Sequence, residues 1–315
     1  MADTLTTTLN YSGMLYAKTD EKTRFLDAIY ARGANQGRST TNSVEFVLSS
    51  SYELDPPAQP NISEHASLTA PAPTTIDRDQ ESNVTQIYQE TVNVSYMKLS
   101  NQEALAGVNL ANAVNNVPDE FDNQVSKRVA QIRLNLNYTC INGVYQYTPG
   151  STTIAPRSRG IINGIVTNKF DAAGAVLTKN MVNNAIKDSI ANGLDPAGLE
   201  IWISPNMMDV ITDTYVLIPG STLPASRTVG GVAYSAIMTN YGELPIMWDP
   251  MFPDKKITFV HMGLMSIAEK PHPVKGVLFV EELAKVGAGE GAQVYGELGL
   301  NYAAEWYHAV LENLA

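Results

Sequence analysis

One glycine-rich stretch of the sequence satisfies the loose pattern for binding a dinucleotide. It runs Lys285-Val-Gly-Ala-Gly-Glu-Gly-Ala-Gln-Val294, with Gly287, Gly289 and Ala292 in the pattern positions. A functional fingerprint of this kind needs a helix directly after it, whose N-terminus binds the pyrophosphate. From Ala292 onward apolar residues recur at every second position, which predicts a strand, and Glu290 would place a carboxylate beside the phosphates. The stretch therefore predicts a turn between two strands and no cofactor-binding site.

The four histidines and the single cysteine are the other candidates for metal binding or nucleophilic chemistry. They comprise His65, His261, His272, His308 and Cys140. The histidines lie in different segments, without a His-Glu-x-x-His motif, so a zinc site would require that the fold bring distant segments together. Cys140 continues an apolar stripe of helical spacing, which predicts a buried, inert thiol in preference to a nucleophile. No metal-binding residue is predicted.

The adjacent carboxylates Glu281 and Glu282 could act as an acid and a base only if both faced the same bond. They belong to a stretch with strand character, and neighbouring strand residues point to opposite faces of a sheet. The sequence also lacks a phosphate-binding G-x-x-x-x-G-K-[ST] loop and a G-x-S-x-G nucleophile motif. We therefore expect no catalytic residues and no enzymatic activity.

Composition excludes several further classes. Of the 315 residues, 44% are apolar and only 17% are charged, so more of the surface than usual must be uncharged and polar or be covered, and partners are one candidate for that cover. The net charge of -11 repels phosphate backbones and anionic lipids, which disfavours direct binding to nucleic acid. Neither a signal peptide nor an apolar run long enough to span a membrane is recognisable, so neither classical secretion nor membrane embedding is expected. The single cysteine, Cys140, excludes a disulfide within the chain and fits folding in the cytosol. Four Asn-x-Ser/Thr triplets are therefore interpreted as chance matches: Asn61, Asn83, Asn93 and Asn137.

The first third of the chain is predicted to be extended. Residues 1–44 are polar and form an arm with one helical segment over 21–32. Residues 45–99 contain a proline-rich stretch without glycine, flanked by strand patterns over 43–48 and 85–99. This arrangement predicts an extended, hairpin-like loop. Because an isolated two-stranded ribbon is marginally stable in water, we expect it to pack on another molecule.

The next region, residues 100–177, contains the strongest helical pattern of the chain. Ser100 and Glu103 form a capping box, which predicts a helix over 101–114. A longer helix of about 42 Å is predicted from Asp119 to about Gln146 and is expected to be the backbone of the subunit. Its apolar residues recur at spacings of three and four: Phe121, Val125, Val129, Ile132, Leu136 and Cys140.

Residues 178–247 are predicted to form a compact α/β unit, in which 218–232 are an exposed loop. Residues 248–315 are predicted to be mainly β, so the whole chain is an α+β protein. The elements expected in the α/β unit are a helix from Thr178 to Gly193, a strand over Leu199–Ile203 and a helix from Pro205 to about Tyr215. The strands expected after it cover 257–261, 277–286 and 292–308.

The order of these elements resembles that of the major capsid proteins of tailed bacteriophages, which have the Hong Kong 97-type capsid fold. Three regions are similar to motifs of that family. They are the strand Asn83-Val-Thr-Gln-Ile-Tyr-Gln-Glu-Thr-Val-Asn-Val-Ser95, the turn Arg157-Ser-Arg159-Gly160, and the closing segments Glu282-Leu-Ala-Lys285 and Gly296-Glu-Leu-x-Leu-Asn301 with Ala304. The likeness covers nearly the whole chain.

The resemblance implies a division of the chain into the parts of that fold. These are an N-terminal arm (1–44), an extended β-hairpin loop (45–99), a peripheral domain with a long spine helix (100–177), an α/β axial domain (178–247) and a return to the peripheral domain (248–315).

The resemblance also implies a function. Members assemble as pentamers and hexamers into the icosahedral shell that encloses the viral DNA, here without sequence-specific binding to DNA and without a membrane. Separate scaffolding, portal and decoration proteins are the partners to expect, and assembly would take place in the host cytoplasm. An encapsulin-like compartment around protein cargo has the same fold and is the alternative. A tail or fibre protein would need a repeat or a trimeric β-stalk, and the sequence has neither.

Overall fold

The structure is a computed structural model that describes residues 22–70, 72, 74–99, 120–216, 225–229 and 232–315. The predicted capping box at Ser100 and the helix over 101–114 lie outside these residues. The described α-helices are α1 (Arg24–Arg32), α2 (Glu64–Ser67), α3 (Tyr96–Leu99), α4 (Glu120–Asn142), α5 (Ile161–Gly164), α6 (Lys179–Ala191) and α7 (Pro205–Val216). The described strands are β1 (Arg38–Thr40), β2 (Glu45–Tyr52), β3 (Arg78–Val84), β4 (Gln86–Ser95), β5 (Lys169–Asp171), β6 (Leu199–Ile203), β7 (Ala225–Val229), β8 (Val232–Thr239), β9 (Gly242–Trp248), β10 (Ile257–His261), β11 (Ser266–Glu269), β12 (Leu278–Glu282), β13 (Gly289–Asn301) and β14 (Ala309–Glu312).

Helix α1 confirms the helical segment predicted within the polar arm, but it is not peripheral. Phe25, Leu26 and Ile29 are fully buried in the larger of two apolar cores. The ring of Phe25 meets the indole of Trp202 edge-on at 4.9 Å, a geometry that aromatic pairs favour. Helix α1 is therefore part of the folded body.

The long helix α4 confirms the strongest sequence prediction, with a corrected end. It has 23 residues, about 35 Å, and stops at Asn142 where the pattern predicted Gln146. The reason is a close backbone crossing: a Cβ on Gly143 would lie 2.4 Å from the carbonyl oxygen of Ser158, and one on Gly160 would lie 2.5 Å from the Gly143 nitrogen. The chain must leave the helical path at Gly143 to make this crossing.

A five-stranded sheet packs one face against α4. Its order is β1-β11-β13-β12, and β4 pairs with the other edge of β13 along ten residues. The predicted strand over 292–308 is therefore wrong at both ends, since β13 begins at Gly289 and stops at Asn301. The left-handed backbone of Ala303 (φ 57°) interrupts the strand, and β14 then joins a different sheet.

A seven-stranded sheet, in the order β5-β14-β10-β6-β9-β8-β7, carries the second apolar core together with α6 and α7. Strands β6 and β10 and both helices confirm the sequence predictions, including the Thr178 hydroxyl that accepts a hydrogen bond from the Met181 amide. Strand β7 lies within the predicted loop 218–232, so that prediction is wrong over 225–229, where pairing with β8 imposes the extended backbone. The sheet takes strands from both sides of the expected boundary at 247, and the division into domains stays a prediction.

The extended loop lies on a separate two-stranded antiparallel ribbon, but the partner of β2 differs from the prediction. The strand pattern predicted over 85–99 forms β4, which pairs with β13. Strand β2 pairs with β3 from Glu45 opposite Val84 to Tyr52 opposite Arg78. The second of these strands was not foreseen as a strand, because Arg-Asp-Gln-Glu-Ser-Asn offers no apolar alternation. Residues 53–77 connect the end of β2 to the start of β3 at the far end of the ribbon, and they include the single helical turn α2.

Candidate assembly surfaces

The glycine-rich stretch lies at a strand boundary, as its pattern indicated. Gly287 occupies the left-handed region (φ 113°) in the connection between β12 and β13, and Gly289 already begins β13. A Cβ on Gly289 would lie 3.0 Å from the carbonyl oxygen of Val94, so this glycine permits the close pairing with β4. A strand therefore occupies the place where a pyrophosphate site would need a helix N-terminus.

Two of the four histidines come together in the fold. The amide of His261 donates to Nδ1 of His308 (3.1 Å), whose Nε2 lies 2.8 Å from the carbonyl oxygen of Tyr302. Nδ1 accepts, so Nε2 carries the proton of the neutral ring. Complete burial lowers the pKa of His308 to about 4. Within the described residues no group of three His, Cys, Asp or Glu side chains is arranged to hold a metal.

The remaining chemical candidates have structural surroundings. The Cys140 thiol is fully buried in the α4 stripe, and this burial raises its pKa, as expected of an inert cysteine. Glu281 and Glu282 alternate across β12, and Glu281 bonds Lys275 at 2.5 Å, with Gln293 on its other oxygen at 3.3 Å. These two carboxylates do not face a common point.

The ribbon and its connecting loop present an apolar and acidic surface to solvent. The large apolar side chains at the far end of the ribbon and in the loop are 57–80% exposed: Tyr52, Leu54, Ile62, Leu68 and Ile76. Five carboxylates accompany a single arginine, Arg78, in residues 53–79: Glu53, Asp55, Glu64, Asp77 and Asp79. Exposed apolar residues collected on a projecting element mark a surface that another protein covers.

The foot of the ribbon is the end at which Glu45 of β2 pairs with Val84 of β3. It is anchored by a fully buried asparagine, Asn83. Its Nδ2 donates to the carbonyl oxygens of Leu300 (2.8 Å) and Arg159 (3.0 Å), and lies 3.3 Å from the Ser158 hydroxyl. Its Oδ1 accepts from the amides of Arg159 (2.8 Å) and Val84 (2.9 Å). One side chain thus joins the ribbon, the turn after α4 and strand β13, each of which includes part of one of the three motifs of the family resemblance.

A second buried asparagine, Asn137, holds α1 on α4. Its Oδ1 accepts from the Leu26 amide (2.9 Å), and its Nδ2 donates to Asp249 (3.0 Å), which also accepts from the Phe25 amide (3.1 Å). Both Asn83 and Asn137 belong to Asn-x-Ser/Thr triplets that sequence reasoning set aside. For Asn137 the flanking Leu136 and Cys140 of the apolar stripe were an available signal of burial, whereas the Asn83 triplet is flanked by the polar Ser82 and Gln86.

A groove of about 460 Å³ lies between α4 and β4, close to the ribbon foot. Three apolar side chains line it with about half or more of their surface exposed to solvent: Ile87, Tyr138 and Val144. Arg157 also lines the groove with an exposed side chain, and within the described part of the chain its guanidinium has no hydrogen bond or ion pair. The groove therefore offers apolar contacts and one unpaired positive charge.

A buried polar foot, a projecting apolar loop and an open groove are features of a subunit that binds other proteins. The sequence matches the family model of the SU10 major capsid protein over residues 1–315, the whole chain. The chain belongs to the SU10 major capsid protein family. It is therefore a major capsid protein of a tailed phage, a structural component of the virion shell that many copies build. The sequence matches no curated protein.

Solved capsids show the same fold as this family member. The capsid of cyanophage A-1(L) has 11% identity and a TM-score of 0.62, with 97% of each chain covered. The capsid of a native GTA particle has 15% identity and a TM-score of 0.56, covering 96% of this chain and 92% of that one. These likenesses establish the Hong Kong 97-type fold that the resemblance implied.

An encapsulin shares this fold as well. The SrpI encapsulin of Synechococcus elongatus PCC 7942 has 11% identity and a TM-score of 0.61, covering 98% of this chain and 93% of that one. Such an identity shows the fold alone, so the match to the capsid family decides between the two kinds of shell. Among the helices that the structure describes, none combines the length and apolar character that a membrane span requires.

Proposed function

We propose that this capsid subunit assembles as pentamers and hexamers into a closed icosahedral shell, and that it performs no reaction. The observation that carries the proposal is the ribbon with its exposed apolar loop, which has no core of its own to pack on. A second copy would cover it. Each contact is small, but a subunit makes several at once, so closing the lattice multiplies weak contacts into a stable shell.

The groove between α4 and β4 is the surface that we assign to the loop of a neighbouring copy. Its exposed Ile87, Tyr138 and Val144 complement the apolar loop residues, and the unpaired Arg157 complements the loop carboxylates. A charge-assisted bond across this contact would fix the register of the two subunits more than their affinity. Each subunit has both the loop and the groove, so each copy can both insert its loop into a neighbour and accept the loop of another.

The parts of the fold then take the roles that the resemblance implied. Helix α4 and the five-stranded sheet belong to the peripheral domain, and α6, α7 and strands β6 to β9 to the axial domain at the capsomer centre. Residues 1–44 form the arm, although their helix α1 is packed into the body.

The remaining parts of the proposal concern the contents of the shell and its assembly. The net charge of -11 favours a lumen that does not bind DNA tightly, which lets the genome be moved in. Scaffolding, portal and decoration proteins are separate chains, and assembly takes place in the host cytoplasm.

Electron microscopy of the purified full chain, alone and together with scaffolding and portal proteins, tests this proposal. We expect rings, tubes or closed shells, with fivefold and sixfold capsomers in the averaged images. A protein that sediments as a monomer under all of these conditions would contradict it.

A further inference from the structure

A cluster of three side chains closes over the ribbon foot. Nη1 of Arg159 lies 2.8 Å from Oε1 of Glu81, and the Tyr302 hydroxyl donates to the same oxygen at 2.9 Å. Arg159 also lies 3.4 Å from the Tyr302 hydroxyl, and its guanidinium stacks over the ring of Tyr145 at 4.7 Å. The three groups come from β3, the turn after α4 and the segment directly after β13, so the cluster joins the ribbon to two other parts of the body.

We propose that Glu81, Arg159 and Tyr302 are positioning residues that set the direction in which the extended loop leaves the subunit. The shell curvature would then depend on them. This inference rests on the proposed function, in which the loop of one copy covers another.

The position of the cluster along the ribbon supports this role. On the side of Glu81 nearer the body, Asn83 and Val84 are fully buried. On the side nearer the loop, Arg78, Asp79 and Gln80 are exposed and pair only with β2. Glu81 is therefore the last residue of β3 that bonds to the body. Three residues of strand separate its partner Ser49 from Tyr52, roughly 10 Å, so a tilt of about 10° at the foot shifts the ribbon end by about 2 Å.

The chemistry of the cluster is suited to fixing the direction of the ribbon, and not only to attaching it to the body. Apolar contacts of Leu48 and Phe46 already hold the foot to the core, but such contacts are non-directional. Hydrogen bonds to a charged carboxylate are short and angle-dependent, and here two donors converge on one oxygen of Glu81. Burial raises the pKa of Glu81, while Arg159 and Tyr302 stabilise its charged form.

The five-stranded sheet contains a matched control for this cluster. Glu297 on β13 bonds Lys270 (2.7 Å) and the Tyr295 hydroxyl (3.0 Å), so it also unites a carboxylate, a cation and a phenol. Its side chain is 22% exposed, close to the 24% of Glu81. The Glu297 cluster does not contact the ribbon, which separates loss of a buried polar cluster from loss of loop orientation.

The experiment compares Tyr302→Phe and Glu81→Gln with Tyr295→Phe and Glu297→Gln in the full chain. Hydrogen exchange of the unassembled subunits reports the amides of β2 and β3, and cryo-electron microscopy reports the diameters of assembled particles. We expect the ribbon amides of the two foot variants to exchange at least tenfold faster. Their particles should have several diameters or form tubes, while both control variants keep the wild-type exchange and a single diameter.

Tyr302→Phe keeps the ring and loses only one hydroxyl, so it tests the inference even if Glu81→Gln does not fold. Wild-type exchange and a single wild-type diameter for Tyr302→Phe would overturn the positioning role. A wild-type protein that forms no shell would instead contradict the proposed function. In that case the exchange measurement on unassembled subunits still decides whether Glu81 and Tyr302 hold the ribbon.

Discussion

Acid should destabilise the subunit through one buried group, His308. The folded protein keeps its ring neutral, because burial lowers its pKa to about 4 from an ordinary value of 6.5. Between these two values the unfolded chain binds the proton that the folded chain excludes. The stabilisation is therefore complete above pH 6.5 and is lost as the pH falls through 4.

The size of the effect follows from the difference of about 2.5 pKa units, at about 1.4 kcal/mol for each. Relative to pH 7, the free energy of unfolding should fall by about 1 kcal/mol at pH 5.5 and by about 3 kcal/mol at pH 4. Protonation of Nδ1 would also remove the acceptor of the His261 amide. Other carboxylates titrate in the same range, so the contribution of His308 must be isolated by a variant.

Urea unfolding of the unassembled wild type and of His308→Gln, at pH 7, 5.5 and 4, provides that comparison. The variant should be less stable at pH 7, because a flexible glutamine must be ordered to place its amide oxygen and nitrogen where the rigid ring holds its two nitrogens, between the His261 amide and the Tyr302 carbonyl. The stability difference between the two proteins should shrink by about 3 kcal/mol on going to pH 4. His65→Gln, in the exposed turn α2, controls for the loss of a histidine as such. A difference that stays constant with pH would refute the reasoning.

Three further substitutions test other contacts. Arg157→Glu places a negative charge in the groove that we assign to the acidic loop. The particle yield measured by sedimentation should fall at least tenfold, while the unfolding midpoint of the subunit stays the same. An unchanged yield would exclude the groove as the binding site of the loop. Gly299→Ala puts a Cβ 2.6 Å from the carbonyl oxygen of Val84 and should cost about 1–3 kcal/mol in urea unfolding, and an unchanged midpoint would contradict this close approach. Asn137→Ala leaves the buried Leu26 amide unpaired and should lower the free energy of unfolding by about 1–3 kcal/mol. The control Asn135→Ala, at an exposed position of the same helix, should be near neutral. Equal losses for the two variants would show that the buried network is not needed.

Elements with a strong local period could be predicted from the sequence. The α4 stripe of Ile132, Leu136 and Cys140 is buried, and the Thr178 cap and the strand Leu199–Ile203 lie where their patterns placed them. These signals act over a few residues, and the sequence contains all of the information they need. The projecting loop followed in the same way from its prolines and its lack of glycine.

The rest depends on contacts between distant segments. The end of α4 is set by the crossing of Gly143 and Gly160, which only the folded chain brings together. Asn137 acts on Leu26, 111 residues earlier, and Asn83 acts on Leu300, 217 residues later. A short motif such as Asn-x-Thr cannot reveal such partners, and the anchoring of the ribbon foot was therefore invisible in the sequence.

The most direct test of the central claim is assembly of a chain that lacks only the projecting loop. Tyr52 and Arg78 are directly paired, so residues 53–77 can be replaced by a two-residue Asn-Gly turn without disturbing the ribbon. Electron microscopy should show closed shells for the wild type and none for this variant, whose subunit unfolds with the wild-type midpoint. Shells of normal diameter from the variant would contradict the claim that the extended loop joins neighbouring subunits.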